Sequence, residues 1–317
     1  MGAGPGPDHT GGMNTTGHEH LSTPVSELAA GAIVVGVDGS EAAADALAWA
    51  TGQAVLTRRP ICLVSAWKPV SNVWLAQAGI DPGPIEEEVR KAAEGLLDDA
   101  EATVAEVSPS VEVHRVVHGE DPRSLMLALS REAHMIVVGS RGLGPVKSLV
   151  LGSVSASLAR HAACPVVVLR PRTEPVDTEH PRGVLVAVDG TERSRPAAEV
   201  AFEQAAARGL PLTVLHCLPW DRGASGQKMD VHDPTVADVA AMVAGSVAGL
   251  AEKHPDVPVG TALVGGLPDE EVLRAARGRD LVVVGHRRTG LIDSVVLGSV
   301  SLAVLEHAEG AVMVVPG

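Results

Sequence analysis

Tyrosine is absent from this 317-residue chain, phenylalanine occurs once (Phe202), and all aromatics together make up 2%. A core without rings must be built from Val, Leu, Ile and Ala, which suits buried parallel strands that read as continuous aliphatic runs. Cysteine is nearly as scarce. Cys62, Cys164 and Cys217 each sit in or beside an apolar run, and none forms a Cys-x-x-Cys pair. This excludes a disulfide framework and reads as reduced, buried thiols of a cytoplasmic protein. No segment approaches the roughly 18–20 apolar residues of a membrane span. Positive charge is also short: 25 Lys and Arg stand against 39 Asp and Glu, a net charge of −14. With no basic cluster, nucleic acid is set aside as a main partner, and with no apolar span a membrane is not expected as one. Several catalytic signatures are missing too. There is no G-x-x-x-x-G-K-[ST] loop, no G-x-G-x-x-G fingerprint, no G-x-S-x-G elbow and no H-E-x-x-H zinc site.

What the chain does have is a repeat. Gly139-Ser-Arg-Gly142, nine residues, then Gly152-Ser153-Val154-Ser155 returns as Gly285-His-Arg287-Arg288, nine residues, then Gly298-Ser299-Val300-Ser301. An apolar run ending in aspartate also occurs twice, before Asp38-Gly39-Ser40 and before Asp189-Gly190-Thr191. Two landmarks in the same order, far apart in each half, indicate a duplicated α/β domain. The pattern predicts a disordered tail over 1–28, a first domain over 29–171, a linker over 172–181 and a second domain over 182–317. The tail histidines His9, His18 and His20 lack a complete metal ligand set nearby.

Within each half, strand-like and helix-like segments alternate. In the first, strands are expected at 33–37, 61–67, 111–117, 135–138 and 166–169. In the second they are expected at 184–188, 212–218, 257–264, 281–284 and 312–315. Alternation of this kind argues for two tandem α/β domains, each a five-stranded parallel doubly wound sheet with helices on both faces. The last strands of the halves are expected to pair, covering two edges and joining the domains as an intramolecular pseudo-dimer.

In such a sheet, ligands bind at the carboxyl ends of strands where strand order reverses. Asp38 ends the first strand after Val37, and Gly139 ends the fourth. A carboxylate accepts bonds from ribose hydroxyls or a base edge. Glycines expose loop amides, and Gly152-Ser153 opens a helix whose free N–H groups favour an anion. Each feature alone has a structural reading: Asp-Gly as a turn, Ser40 or Ser153 as a helix cap, the glycine loop as a connection. Their convergence on one end of one sheet points to a nucleoside grip facing a phosphate cradle.

The spacing Gly139-x2-Gly142-x9-Gly152-Ser153, with Val137-Val138 before it and Cys164-Pro165-Val166-Val167-Val168 after it, resembles the nucleotide motif of universal stress proteins. The likeness is to tandem members of the actinobacterial kind and covers nearly all of 31–317. It implies a Rossmann-like fold of the adenine nucleotide alpha hydrolase-like type, with ATP and Mg²⁺ as ligands. Carried over, it places Asp38 at the ribose and Ala66 at adenine, with Val37, Gly39 and Ser40 in the same turn. Gly139 and Gly142 would run under ribose and phosphates, and Gly152, Ser153, Val154 and Ser155 would hold the triphosphate. Arg141 and Lys147 lie in the same loop, each either touching the phosphates or standing as a solvated surface charge, and Trp67 beside Ala66 either reports on adenine or simply packs. The second copy offers Asp189, Cys217 in place of Ala66, Gly285, Arg287, Gly298, Ser299, Val300 and Ser301. There Arg288 replaces a glycine, which either blocks close approach or adds a guanidinium beside phosphates.

No positioned base or attacking group is visible, so rapid turnover is not expected. The resemblance implies a nucleotide-dependent stress-response regulator with an unknown regulatory protein partner and further homodimerisation. The alternatives are an interaction protein without useful ATP affinity, a slow ATPase or autophosphorylating protein, and cyclic AMP as ligand.

Overall fold

The computed structural model describes residues 24–68, 79, 81–142, 151–173, 182–218, 227–230, 233–234, 236–286 and 298–317. The expected tail up to 23, the expected linker over 174–181, and Lys147, Arg287 and Arg288 lie outside the described residues.

The first half runs α1 (Val25–Ala29), β1 (Ile33–Gly36), α2 (Glu41–Thr57), β2 (Ile61–Ala66), α3 (Gly83–Val107), β3 (Val113–His118), α4 (Pro122–Leu129), β4 (Met135–Gly139), α5 (Ser153–His161) and β5 (Val166–Arg170). The second runs β6 (Val184–Ala187), a 3-10 turn (Glu192–Ser194), α6 (Arg195–Arg208), β7 (Leu212–Leu218), β8 (Gln227–Met229), α7 (Ala237–Lys253), β9 (Val259–Gly265), α8 (Pro268–Ala276), β10 (Leu281–Gly285), α9 (Ser299–His307) and β11 (Gly310–Val315).

Local chemistry explains the boundaries. The Ala43 N–H bonds to Ser40 Oγ (3.2 Å), capping α2, and Glu41 sits in its first turn; such a cap contributes about 1 kcal/mol. The buried face of α2 is mostly small, with Ala43, Ala46, Ala50 and Ala54 against the sheet. Asp121 caps α4, with Pro122 in its first turn. Strand side chains alternate between faces: Ile33 and Val35 enter one core layer and Val34 the other.

The described strands form one sheet in the order β3-β2-β1-β4-β5-β11-β10-β6-β7-β9-β8. β5 and β11 pair antiparallel, with Val168 opposite Val312 and Arg170 opposite Gly310. Within each half the pairing is parallel, except that β8 adds antiparallel to β9. The halves also touch through side chains. Arg208 of α6 lies over the Trp49 ring of α2 (4.9 Å) and bonds to Gln53 Oε1. Arg172 donates to the Arg279 carbonyl (3.0 Å).

Two features differ from the sequence expectation. The tail does not reach residue 28, because Val25 and Leu28 of α1 pack onto the core beside the buried Ala29. Among the described residues the second half carries β8 as a strand beyond the five expected there. No helix among the described residues is long and apolar enough to cross a membrane.

Helix α2 ends on Arg58 in the left-handed region (φ 52°, ψ 46°), whereas the matching helix α6 ends on Gly209 (φ 62°, ψ 33°). A side chain is disfavoured there. Arg58→Gly is expected to stabilise the chain by about 0.5–1 kcal/mol after the entropy of glycine is counted. A higher urea midpoint at unchanged slope checks this; a lower one refutes it.

Candidate ligand cavity at the switch point of the first sheet

β1 sits between β2 and β4, so the connections leaving β1 and β4 depart to opposite sides and open a crevice at their carboxyl ends. A cavity of about 500 Å³ occupies it, within the range of small-molecule sites. Of the expected residues, Val37, Asp38, Ala66, Gly139, Arg141, Gly142, Gly152, Ser153, Val154 and Ser155 line it. Gly39 and Ser40 do not; they build the turn beneath it. Sequence reasoning missed Gly36, Ala43, Val64, Pro122, Met126, Val138 and Leu151, which form the apolar walls. Pro122 and Met126 sit four apart on α4, a spacing that places both on one helix face.

Asp38 divides its carboxylate. Oδ1 accepts from the Ser40 N–H (3.0 Å) and hydroxyl (2.6 Å), fixing the turn. Oδ2 points at Gly142, where an added Cβ would lie only 2.3 Å away. The turn reading and the ligand reading of Asp38 therefore use different oxygens. Gly139 was expected to let a ligand approach. Its missing side chain is instead filled by α2: a Cβ there would sit 2.6 Å from the Ala42 backbone carbon. Gly142 has no positive φ, so a side chain at this position conflicts through space rather than through backbone strain.

Helix α5 opens at Gly152 with no side-chain cap. Its first internal bond runs from the Ala156 N–H to the Gly152 carbonyl (2.9 Å), so the amides of residues 153–155 point out of the helix end. That end carries roughly half a positive charge. Ser155, expected to offer its hydroxyl to phosphate, donates it to the Gly139 carbonyl (2.7 Å) and ties α5 to β4. Ser153 stays exposed. Arg141 reaches the cavity wall beside Arg170. Burial, and then the charge of Arg141, pull the Arg170 guanidinium below its ordinary range, while Glu306 opposes the shift. Trp67 is not part of the lining; it packs over Gly119, 3.5 Å from the position of an added Cβ.

The second half repeats the frame. Asp189 Oδ1 accepts from the Thr191 N–H (3.0 Å) and hydroxyl (2.6 Å), and Ser301 donates to the Gly285 carbonyl (2.7 Å). Gly298 precedes α9, whose first turn holds Ser299 and Val300. Cys217, opposite number of Ala66, faces the Pro268 carbonyl at 4.0 Å. Burial, then the Glu271 and Asp269 carboxylates, push its thiol up to about 11. Gly285 is looser than Gly139: among the described residues an added Cβ would meet only Ala197 Cβ at 3.6 Å.

These features define a class: a tandem doubly wound α/β protein with an anion-compatible crevice at the switch point. The sequence profile described as Universal stress protein family matches residues 30–170 and again 181–316. A universal stress protein of Mycobacterium tuberculosis (strain ATCC 25618 / H37Rv) is 32% identical over 288 residues, spanning 89% of this chain and 95% of that protein. One from Mycolicibacterium smegmatis (strain ATCC 700084 / mc(2)155) is 33% identical over 291 residues, spanning 89% and 96%. The crystal structure of a universal stress protein from Archaeoglobus fulgidus DSM 4304 shares the fold with TM-score 0.66 at 22% identity, covering 90% of this chain and 98% of that one. The chain belongs to the universal stress protein family.

The motif glycines separate experimentally. Gly139→Ala is expected to cost at least about 2 kcal/mol by overpacking against the α2 backbone. Gly285→Ala is expected to stay within about 0.5 kcal/mol. Urea unfolding of both variants checks the contrast; equal costs would refute the packing role of Gly139.

Proposed function

We propose that the first-domain cavity binds an adenine nucleotide, ATP with Mg²⁺, and that this protein is a nucleotide-dependent stress-response regulator. The observation that supports it most is the pairing of the Asp38 carboxylate and the open N-terminus of α5 across one cavity of about 500 Å³. A carboxylate oxygen free of the turn suits ribose hydroxyls. Backbone amides at a helix start suit phosphates. The apolar walls from Val64, Ala66, Pro122 and Met126 suit a base.

Among the described residues no group of three His, Cys, Asp or Glu side chains is arranged to hold a metal. Mg²⁺ therefore enters with the nucleotide, held by phosphate oxygens and water, as this ion commonly is. ATP acts as a ligand that shifts conformation or partner binding. The two domains work as an intramolecular pseudo-dimer; the continuous β5–β11 pairing supports that reading.

Calorimetric titration of nucleotide-free protein with Mg·ATP tests this. One ATP per chain is expected; two would mean the second domain binds as well. No binding at millimolar ATP would overturn the reading in favour of an interaction protein. Asp38→Asn keeps the Oδ1 acceptor of the turn and removes the charge. It is expected to melt at the wild-type temperature and bind ATP about 10–100-fold more weakly. Wild-type affinity in this variant would remove Asp38 from the site. Gly142→Ala, which displaces Oδ2, should likewise weaken binding while the chain stays folded.

A further inference from the structure

One group in the cavity calls for more than a place in the glycine loop, and the inference drawn from it rests on the nucleotide reading. Arg141 lines the cavity, and its Nε is buried with no hydrogen-bond partner. An unpaired buried guanidinium nitrogen is costly unless a ligand completes it. The chain segments after β4 and β5 run side by side, because the Ser140 N–H bonds to the Leu169 carbonyl (2.8 Å). That register sets Arg141 beside Arg170.

Arg170 is itself 7% exposed and is fixed by its bond to the Leu305 carbonyl (3.0 Å) near the end of α9. Among the described residues neither guanidinium has a carboxylate in ion-pair contact. Two like charges in a poorly solvated place repel each other and attract any anion entering the cavity. The N-terminus of α5 already supplies roughly half a charge, suited to a single phosphate. The extra guanidinium pair answers to more negative charge than one phosphate ester carries.

We propose that Arg141 is the charge-selecting residue of this cavity, and that with Arg170 fixed behind it the site prefers a ligand bearing a phosphate chain over one bearing a single or cyclised phosphate. Arg170 acts through Arg141 and is a positioning residue. The selection belongs to the first domain: in the repeat, the position matching Arg170 is Pro316.

The test is calorimetry on the full chain with ATP, AMP, cyclic AMP and inorganic tripolyphosphate. Wild type is expected to prefer ATP over AMP by about 10-fold or more. Arg141→Gln should weaken ATP and tripolyphosphate about 10-fold and AMP less than about 3-fold, with a shallower salt dependence. Arg170→Gln should narrow the ATP-to-AMP ratio and Arg170→Lys should restore it, a pattern that loss of packing alone does not give.

Equal losses for ATP and AMP in Arg141→Gln would overturn the proposal, as would wild-type protein binding cyclic AMP as tightly as ATP. Tripolyphosphate separates the two readings. If it binds in an Arg141-dependent way and no nucleotide does, charge selection stands and the nucleotide reading falls. If neither binds, both fall.

Discussion

The antiparallel pairing of β5 with β11 is the constraint on which the rest of the structure depends. Each half alone would end in an unpaired strand of almost wholly aliphatic residues, Val166–Arg170 or Gly310–Val315, open to association with other chains. Joined, these two strands become the centre of one sheet. Burial on both faces then explains a composition rich in Val and Ala and nearly devoid of rings. Phe202 of α6 is a fully buried ring in this core, while strand ends such as Gly139 are packed to contact with helix backbone.

The glycine motif does several jobs that its spacing alone does not separate. Gly139 is a packing residue for α2, Gly142 clears space for the second oxygen of Asp38, and Gly152 opens α5 without a side-chain cap. Ser155 and Ser301 serve as identical ties between strand and helix. A motif recurring in both halves is therefore partly architecture. In the second domain the Ser301 tie is architecture of this kind, whereas Gly285 leaves room for a side chain among the described residues.

The alternation of elements and the aliphatic strands made the fold class readable. The duplication was visible because Gly139 and Gly285 head the same spacing. The cavity's polar residues were readable for the same reason. Its walls were not: Pro122, Met126 and Val64 are ordinary core residues locally, and only the switch point between β1 and β4 brings them to one place. Strand β8 escaped notice because three residues in a Gly- and Asp-rich stretch carry no period; pairing with β9 makes them a strand. Arg170 was hidden for a similar reason. Nothing in a strand-terminal arginine announces that it reaches 135 residues along the chain to a helix carbonyl.

The antiparallel join also sets a direction. In the first half strands run towards the crevice at Asp38; in the second they run the opposite way, so the matching turn at Asp189 lies at the other edge of the same sheet. The β1–β4 gap and the β10–β6 gap are four strand spacings apart, about 19 Å along the sheet, with a strand length of roughly 15 Å across it. No single small ligand spans that diagonal. A surface docked over one crevice leaves the other facing away into solvent. The molecule is thus a two-ended object with unlike ends, and an assembly built through one end presents only the other outward.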